Sequence, residues 1–374
     1  MNSTERKQQR YLKRKYKREE KQKSQNAKYN DFNNLINPTN LLTSFKLCRK
    51  GVSWKHSVQF YEQDLIRNIH DAIKSLRAGI LPSKGFEQFQ INERGKMRDI
   101  KSPHISERVI QKTLCDNFIT PILGRALIYD NGASLKNKGT SFTRKRIIKH
   151  LSEYYRKYGG TGYILLIDYS KYFDNIDHET LFSAADRYIT DPKIRNIYHQ
   201  AVNEFGDAGL GLGSQISQTL AIFFPNRIDH YIKEVLHVRY YGRYMDDSYL
   251  ISTDKKYLEY CLRKITELCE KQKIVINTKK TKIVKLSGGF TFMHCKYRYT
   301  KSGHILKNGG RESAKRMHRK LRFFRKQLDI GKMTIKEIRD VYQSWRGFMR
   351  QFDNRNIMRN IDAFYNELFV KRIV

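Results

Sequence analysis

The chain has 374 residues, with 73 Lys and Arg against 37 Asp and Glu, for a formal net charge of +36. That length supports two or three structural units around a sizeable core and excludes a small stapled fold. A charge of that size, spread over the whole chain, points to a polyanionic partner rather than to a merely solubilising surface. An anionic membrane would also attract it, but no apolar run reaches the roughly 18 residues a span needs, and neither end carries a lipidation motif. Cys48, Cys115, Cys261, Cys269 and Cys295 are odd in number and form no CxxC pair. They read as reduced thiols in a cytoplasmic protein without a zinc site.

Residues 1–30 read as a charged arm, helical or disordered, that either contacts nucleic acid or is a solvated tail. The arm lacks the apolar core of a secretory signal, and Glu5, Glu19 and Glu20 argue against a mitochondrial presequence. Apolar spacing in "FYEQDLIRNIHDAIKSLRAGIL" (60–81) predicts helix, stopping at Leu81–Pro82. "FEQFQINERGKMRDIKSP" (86–103) alternates around Gly95 and predicts a β-hairpin with a basic tip. "SERVIQKTLCDNFITPIL" (106–123) predicts a helix broken near Pro121.

The apolar run Tyr163–Ile167, flanked by glycines, predicts a buried strand ending at Asp168. A helix is expected to follow within "KYFDNIDHETLFSAADRYI". "GLGLGSQISQTLAIFFPNRIDHYIKEVL" (209–236) reads as a Gly-rich loop opening a long helix, and 257–276 as an amphipathic helix running into a strand. "FTFMHCKYRYT" (290–300) alternates as a strand, and from Arg311 onward the chain reads as helical and very basic. There are no internal repeats and no Pro- or Ser-rich linker.

"VRYYGRYMDDSYLIS" (238–252) places Asp246 and Asp247 side by side where two β-runs reverse. An adjacent Asp pair in a hairpin is ordinarily a solvated turn. Here the flanking runs are apolar and aromatic, and Asp168 ends another apolar strand, where sheet-based sites place ligands. Acids clustered in so basic a chain call for cations, and hard oxygen ligands suit Mg²⁺. Two such ions about 3.5–4 Å apart activate a hydroxyl and stabilise a leaving pyrophosphate, the chemistry of nucleotidyl transfer.

"YMDD" at 244–247, with "DYSKYFD" at 168–174, resembles the catalytic pair of reverse transcriptases. Further motifs resemble that family in the same order: "ERGKMRDIKSP" (93–103) the finger motif that holds the triphosphate, and "ERVIQKTLCDNFITPIL" (107–123) the helix after it. "SLKNKGT" (134–140) resembles the template-contacting stretch, and "GLGLGSQISQ" (209–218) the loop–helix at the nascent base pair. "INTKKTKI" (276–283) resembles the motif with a lysine near the leaving phosphate, and "FMHCKY" (292–297) the primer grip. The resemblance spans about residues 85–350.

The resemblance implies an α/β (α+β) right-hand polymerase: a basic N-terminal extension over 1–84, fingers over 85–160, a palm over 161–304 and a helical, basic thumb over 305–374. It implies metal binding by Asp168, Asp246 and Asp247, with two Mg²⁺ ions or Mn²⁺ in their place, and Lys280 as proton donor to pyrophosphate. Arg98, with Lys96 or Arg94, would grip the dNTP; Phe173 would exclude a ribose 2′-hydroxyl; Leu212, Gly213 and Gln218 would meet the nascent pair. Lys136 and Lys138 would contact the template, and Lys315, Arg316, Arg319 and Arg322 the template–product duplex. Trp345 is expected in the core.

Leu212 and Ser217–Gln218 depart from the glutamine and Ser-Pro of many reverse transcriptases, and resemble diversity-generating-retroelement and phage-defence groups. His294–Cys295 departs from the usual primer grip. The expected function is an RNA-directed DNA polymerase copying a dedicated noncoding RNA in anti-phage defence, in bacterial cytoplasm, with no membrane partner and with room for a homo-oligomer or accessory protein. The alternatives are a mutagenic enzyme of a diversity-generating retroelement, an RNA-binding scaffold, and untemplated or protein-primed synthesis.

Overall fold

The computed structural model describes residues 3–93 and 95–370. Helix α1 (Ser3–Ala27) is followed by α2 (Pro38–Arg49), α3 (His56–Gln63) and α4 (Leu65–Arg77). Pro38 pre-sets the first turn of α2, and the Asn37 side chain caps it by accepting from Thr39 N at 2.9 Å. Strands β1 (Phe86–Glu93) and β2 (Lys96–Pro103) pair antiparallel, with Glu93 opposite Lys96, as the alternation around Gly95 predicts.

Next come α5 (Ile105–Leu114) and the short α6 (Thr120–Leu123). Pro121 does not break this helix. A π-turn over Cys115–Ile119 precedes it, and Pro121 falls in the first turn of α6, where its missing N–H is tolerated. Helix α7 (Thr140–Tyr158) leads to β3 (Tyr163–Ile167). The helix expected within residues 171–189 is present but shorter, as α8 (His178–Ala185). Residues 169–177 are instead a turn, with Lys171 at φ 44°. Asp177 then starts α8 by accepting from Thr180 N at 2.9 Å.

Helices α9 (Pro192–Asn203), α10 (Gln215–Phe223) and α11 (Asn226–Glu234) precede the hairpin of β4 (Tyr240–Tyr244) and β5 (Asp247–Ser252). The single long helix expected over 215–236 is thus two helices, parted at Pro225. Then come α12 (Lys255–Lys271), β6 (Lys282–Lys285), β7 (Phe290–Phe292), β8 (Cys295–Tyr299) and β9 (Ile305–Gly309). The strand expected at the end of 257–276 is only an isolated bridge, Ile276 to Tyr169. The stretch read as one strand over 290–300 is a tight hairpin. Its two turn residues, Met293 and His294, both hold positive φ without a glycine, so composition carried no turn signal. Helices α13 (Arg311–Asp329), α14 (Ile335–Met349) and α15 (Arg355–Phe369) follow. Thr334 and Glu337 form a capping box at the start of α14.

The strands form a two-stranded sheet, a four-stranded sheet of order β4-β5-β3-β6, and a three-stranded sheet β7-β8-β9. The chain divides into two compact units built from interleaved segments. The first takes Met1–Arg146, Leu165–Ile251 and Lys256–Lys282; its core includes Val109, Ile110, Leu114, Phe118, Leu165 and Leu250, none of them solvent-exposed. Within it α1 is tied to α11, where two guanidinium nitrogens of Arg18 meet the Glu234 carboxylate. The second takes Ile147–Ile164, Ser252–Lys255 and Ile283–Val374, with a core of Leu151, Leu286, Tyr297, Leu321, Ile338 and Met349. Trp345 is buried there as expected, its indole N–H donating to Ser313 Oγ at 3.0 Å. No helix among the described residues is long and apolar enough to cross a membrane.

Candidate active site

β3 is apolar throughout and delivers Asp168 at its end, 9% exposed. The loop after α12 closes over that aspartate. Asn277 N donates to its carbonyl at 2.8 Å, Asn277 Nδ2 donates to Oδ2 at 2.9 Å, and the Asp168 N–H reaches Thr281 Oγ1 at 3.3 Å. Lys280 Nζ meets Oδ1 at 2.9 Å, and that bond raises the lysine's proton affinity. Both carboxylate oxygens of Asp168 are therefore engaged.

The second pair of acids comes from the β4–β5 reversal. Tyr244 pairs with Asp247, so only Met245 and Asp246 make the turn. Such a turn needs positive φ, and Met245 supplies it at 53°. A residue with a Cβ there costs about 1–2 kcal/mol. Burial raises the Asp246 carboxyl's pKa and Asp168 raises it further, while Lys280 and Arg98 oppose. Burial, then Asp246, then Asp168 push the Asp247 carboxyl up to about 7, with Lys280 opposing. The three acids thus feel one another's charge, and the local cations do not cancel it.

Among the described residues, no three carboxylate, imidazole or thiol groups converge closely enough to enclose one metal ion. Asp168 bonds Lys280 and Asn277 here, and it still acts electrostatically on Asp246 and Asp247. The donor set fits a hard divalent cation: all its members are carboxylate oxygens, and burial and neighbouring acids raise the proton affinity of two of them.

The other predicted residues sort as follows. Arg98, half-exposed on β2, lies near enough to bias Asp246, while its Nε donates to Glu93 Oε2 at 3.2 Å. Arg94 lies outside the described residues, as does the Lys96 side chain. Phe173 is half-buried edge-on against Tyr172, and its carbonyl accepts from Leu210 N at 2.7 Å. The Leu212 carbonyl accepts from Lys101 N at 2.9 Å, which docks the Gly-rich loop on β2. Gly213, at φ 116°, sits so close that a Cβ would stand 2.8 Å from the Lys101 carbonyl. Gln218 is exposed on α10.

Lys136 is exposed, but Lys138 is turned inward: its Nζ donates to the carbonyls of Tyr129 and Asn131 at 2.8 and 2.9 Å, and burial lowers its pKa. Those two bonds brace the loop and leave the ammonium one further donor. Lys315, Arg316, Arg319 and Arg322 are exposed along α13 in the second unit. Ala314, Met317, Leu321 and Phe324 form its buried stripe.

Three residues that hold this site escaped the sequence reading. Asn277 belongs to the "INTKKTKI" stretch, but its grip on Asp168 spans 109 positions. Arg243 and Asp229 form a fully buried ion pair at 2.6 Å, with both side chains 0% exposed. The signal for Arg243 was an arginine inside an otherwise apolar and aromatic strand, "YYGRY". Burial disfavours its charge, and Asp229 more than restores it.

The family model described as "Reverse transcriptase (RNA-dependent DNA polymerase)" matches residues 84–316. No curated protein matches the sequence. Among solved structures the chain is similar to apo telomerase from Candida tropicalis, with 13% identity over 82% of this chain and 64% of that one and a TM-score of 0.49. It is also similar to Candida albicans telomerase in complex with a TWJ fragment of telomeric RNA, with 13% identity over 66% and 50% of the two chains and a TM-score of 0.48. A C-terminally truncated apo form of the C. tropicalis enzyme gives 14% identity over 60% and 55%, with a TM-score of 0.46. The chain spans half to two thirds of the length of these telomerases.

Proposed function

The chain belongs to the reverse transcriptase family and has its right-hand polymerase fold, and from that premise we propose that it copies RNA into DNA by metal-dependent nucleotidyl transfer. The carrying observation is that Asp168, Asp246, Asp247, Lys280 and Arg98 fall within one electrostatic neighbourhood of the first unit. Asp168, Asp246 and Asp247 would hold two Mg²⁺ ions. When bound, the ions supply activation of the attacking hydroxyl and charge stabilisation of the leaving pyrophosphate.

In the reaction, the primer 3′-hydroxyl gives up its proton to solvent, and its oxygen forms a bond to the α-phosphorus as the bond from that phosphorus to the α–β bridging oxygen breaks; pyrophosphate leaves with that oxygen. Arg98 offsets the charge of the triphosphate. Lys280, holding its proton tightly beside Asp168, donates it to the leaving pyrophosphate. The half-buried Phe173 ring walls off a ribose 2′-hydroxyl. The side chain of Leu212 offers the nascent pair no hydrogen bond, which favours relaxed fidelity.

The net charge of +36 and the exposed basic face of α13 support a structured RNA as partner. We assign that RNA as a dedicated noncoding template, copied in anti-phage defence in bacterial cytoplasm. The variant loop around Leu212 also favours a second reading, mutagenic copying in a diversity-generating retroelement.

The test is labelled-dNTP incorporation by the full chain with its co-purified RNA and Mg²⁺, beside an Asp246→Asn/Asp247→Asn control. A DNase-sensitive product that vanishes in the control is expected, and its sequence reports the template. No product with native RNA present sinks the reading. An error rate that stays low and does not respond to Leu212→Gln removes the mutagenic alternative.

A further inference from the structure

Among the described residues Arg243 is the largest fully buried side chain. Burying a guanidinium is costly unless each donor finds a partner. Here Nε donates to Asp229 Oδ1 at 2.9 Å, and Nη2 donates to Asp229 Oδ2 at 2.6 Å and to the Ile222 carbonyl at 2.8 Å. Nη1 donates to the Met245 carbonyl at 2.9 Å. Asp229 is fixed in turn by the Tyr241 hydroxyl. The backbone of Arg243 is clamped as well, its N–H to Asp130 O at 3.1 Å and its carbonyl to Gly132 N at 2.9 Å.

One of these bonds differs in kind from the rest. The Met245 carbonyl belongs to the peptide plane that enters Asp246. Rotation of that plane turns the Asp246 backbone and swings its carboxylate. The same plane follows a residue held at φ 53° without glycine, so the turn has a standing tendency to relax. The charge of Arg243 is spent on Asp229, and what it transmits to the acids is geometry.

We propose that the Arg243–Asp229 pair is a positioning device that locks the Met245–Asp246 turn, so that Asp246 and Asp247 present their oxygens to divalent metal. The proposal rests on the polymerase reading above. Arg243 touches neither substrate nor metal in this scheme. Lysine cannot replace it, because a single ammonium cannot hold the Asp229 carboxylate, the Ile222 carbonyl and the Met245 carbonyl together.

The experiment is equilibrium Mn²⁺ binding by the full chain without nucleotide, read from the spin-resonance signal of free Mn²⁺, with thermal unfolding of each variant alongside. Arg243→Lys is expected to unfold cooperatively and to bind Mn²⁺ about 10–100-fold more weakly, as for other residues that orient metal ligands. Adding Met245→Gly to Arg243→Lys is expected to recover much of that loss, because glycine adopts positive φ unaided. A purely structural role for the pair predicts no such recovery.

Wild-type Mn²⁺ affinity in Arg243→Lys overturns the clamp alone. So does a loss that Met245→Gly leaves untouched. If Arg243→Lys does not fold, Tyr241→Phe, which removes one hydroxyl from Asp229, gives the milder test: severalfold weaker Mn²⁺ binding supports the clamp, and unchanged binding overturns it. A wild-type chain with no Mn²⁺ affinity overturns the polymerase reading and the clamp with it.

Discussion

The first unit contains two hairpins of the same local design and opposite use. β1–β2 and β4–β5 each reverse through two residues, between Glu93 and Lys96 in one and Tyr244 and Asp247 in the other. Beyond Phe86, β1 is exposed along its whole length, whereas β4 is buried up to Tyr244. The exposed hairpin obtains its positive φ from Gly95, at 87°, and presents Arg98. The buried hairpin obtains it from Met245 and presents two aspartates. In the first, backbone strain is relieved by the residue itself. In the second, the buried Arg243, two residues upstream, bonds the Met245 carbonyl. A buried turn under electrostatic stress is anchored by tertiary structure, and an exposed one is left to local chemistry.

The sharpest way to break the comparison is Asp246→Asn. Loss of several kcal/mol of transition-state stabilisation makes DNA synthesis fall on the order of 10³-fold. Removing that charge also lowers the Asp247 pKa, since Asp246 is the largest of the neighbouring charges raising it. Single-turnover incorporation, and a pH titration of the Asp247 carboxyl by NMR, check both halves. An unchanged Asp247 would mean that burial alone sets its proton affinity.

Gly213→Ala attacks the root of the exposed hairpin, where the loop docks on Lys101. Strain at positive φ and the carbonyl contact should destabilise the protein by about 3 kcal/mol in denaturant titrations. A loss under about 0.5 kcal/mol would show that the loop yields freely.

Glu107 of α5 holds the segment that leads into that hairpin. It accepts from the Lys84 N–H and the Ser83 hydroxyl, is not solvent-exposed, and faces Glu204. Burial, reinforced by Glu204, pushes its carboxyl up to about 7 from 4.5. The folded chain therefore keeps this proton at a pH where the unfolded chain has lost it. Stability from this group is full at low pH and declines as pH rises from the unfolded value to the folded one. Glu107→Gln should be more stable than wild type by about 2 kcal/mol near pH 8, with the gap closing toward pH 4.5. A gap independent of pH would assign the effect to packing.

The smallest effect belongs to Gly95→Ala. Nothing lies within 4 Å of the added Cβ, so the cost is the φ alone, about 1 kcal/mol and local to the tip. The KM for dNTP should rise a few-fold with the melting temperature unmoved. A drop in melting temperature would mean that the tip bears on the core.

What the sequence made legible follows the same division. The exposed hairpin was readable from alternation and Gly95, and the buried one from two apolar runs around Asp246–Asp247. Asp168 was readable as the end of an apolar strand. The helix read over 171–189 was found at His178–Ala185 only, because Lys171 turns the chain through positive φ before it. The Met293–His294 turn was hidden for a like reason. Lys138 looked like one more surface cation, and only the path of residues 129–131 shows it folded inward. Arg243 and Asp229 sit 14 positions apart on different elements, so nothing in their spacing announces that they meet. Local signals reveal where the acids are, and long-range contacts decide how they are held.

The interleaving of the two units has a consequence for synthesis on the ribosome. The segment Ile147–Ile164 of the second unit is made before most of its partners, which begin at Ile283, while the first unit ends only at Lys282. A nascent chain stalled before that point contains neither unit whole. The segment 147–164 must then wait more than a hundred residues for its core, so folding depends on late, non-local pairing and is slow. Truncation or permutation inside this span would divide both units at once, whereas a cut placed after Lys282 leaves every segment of the first unit on one chain.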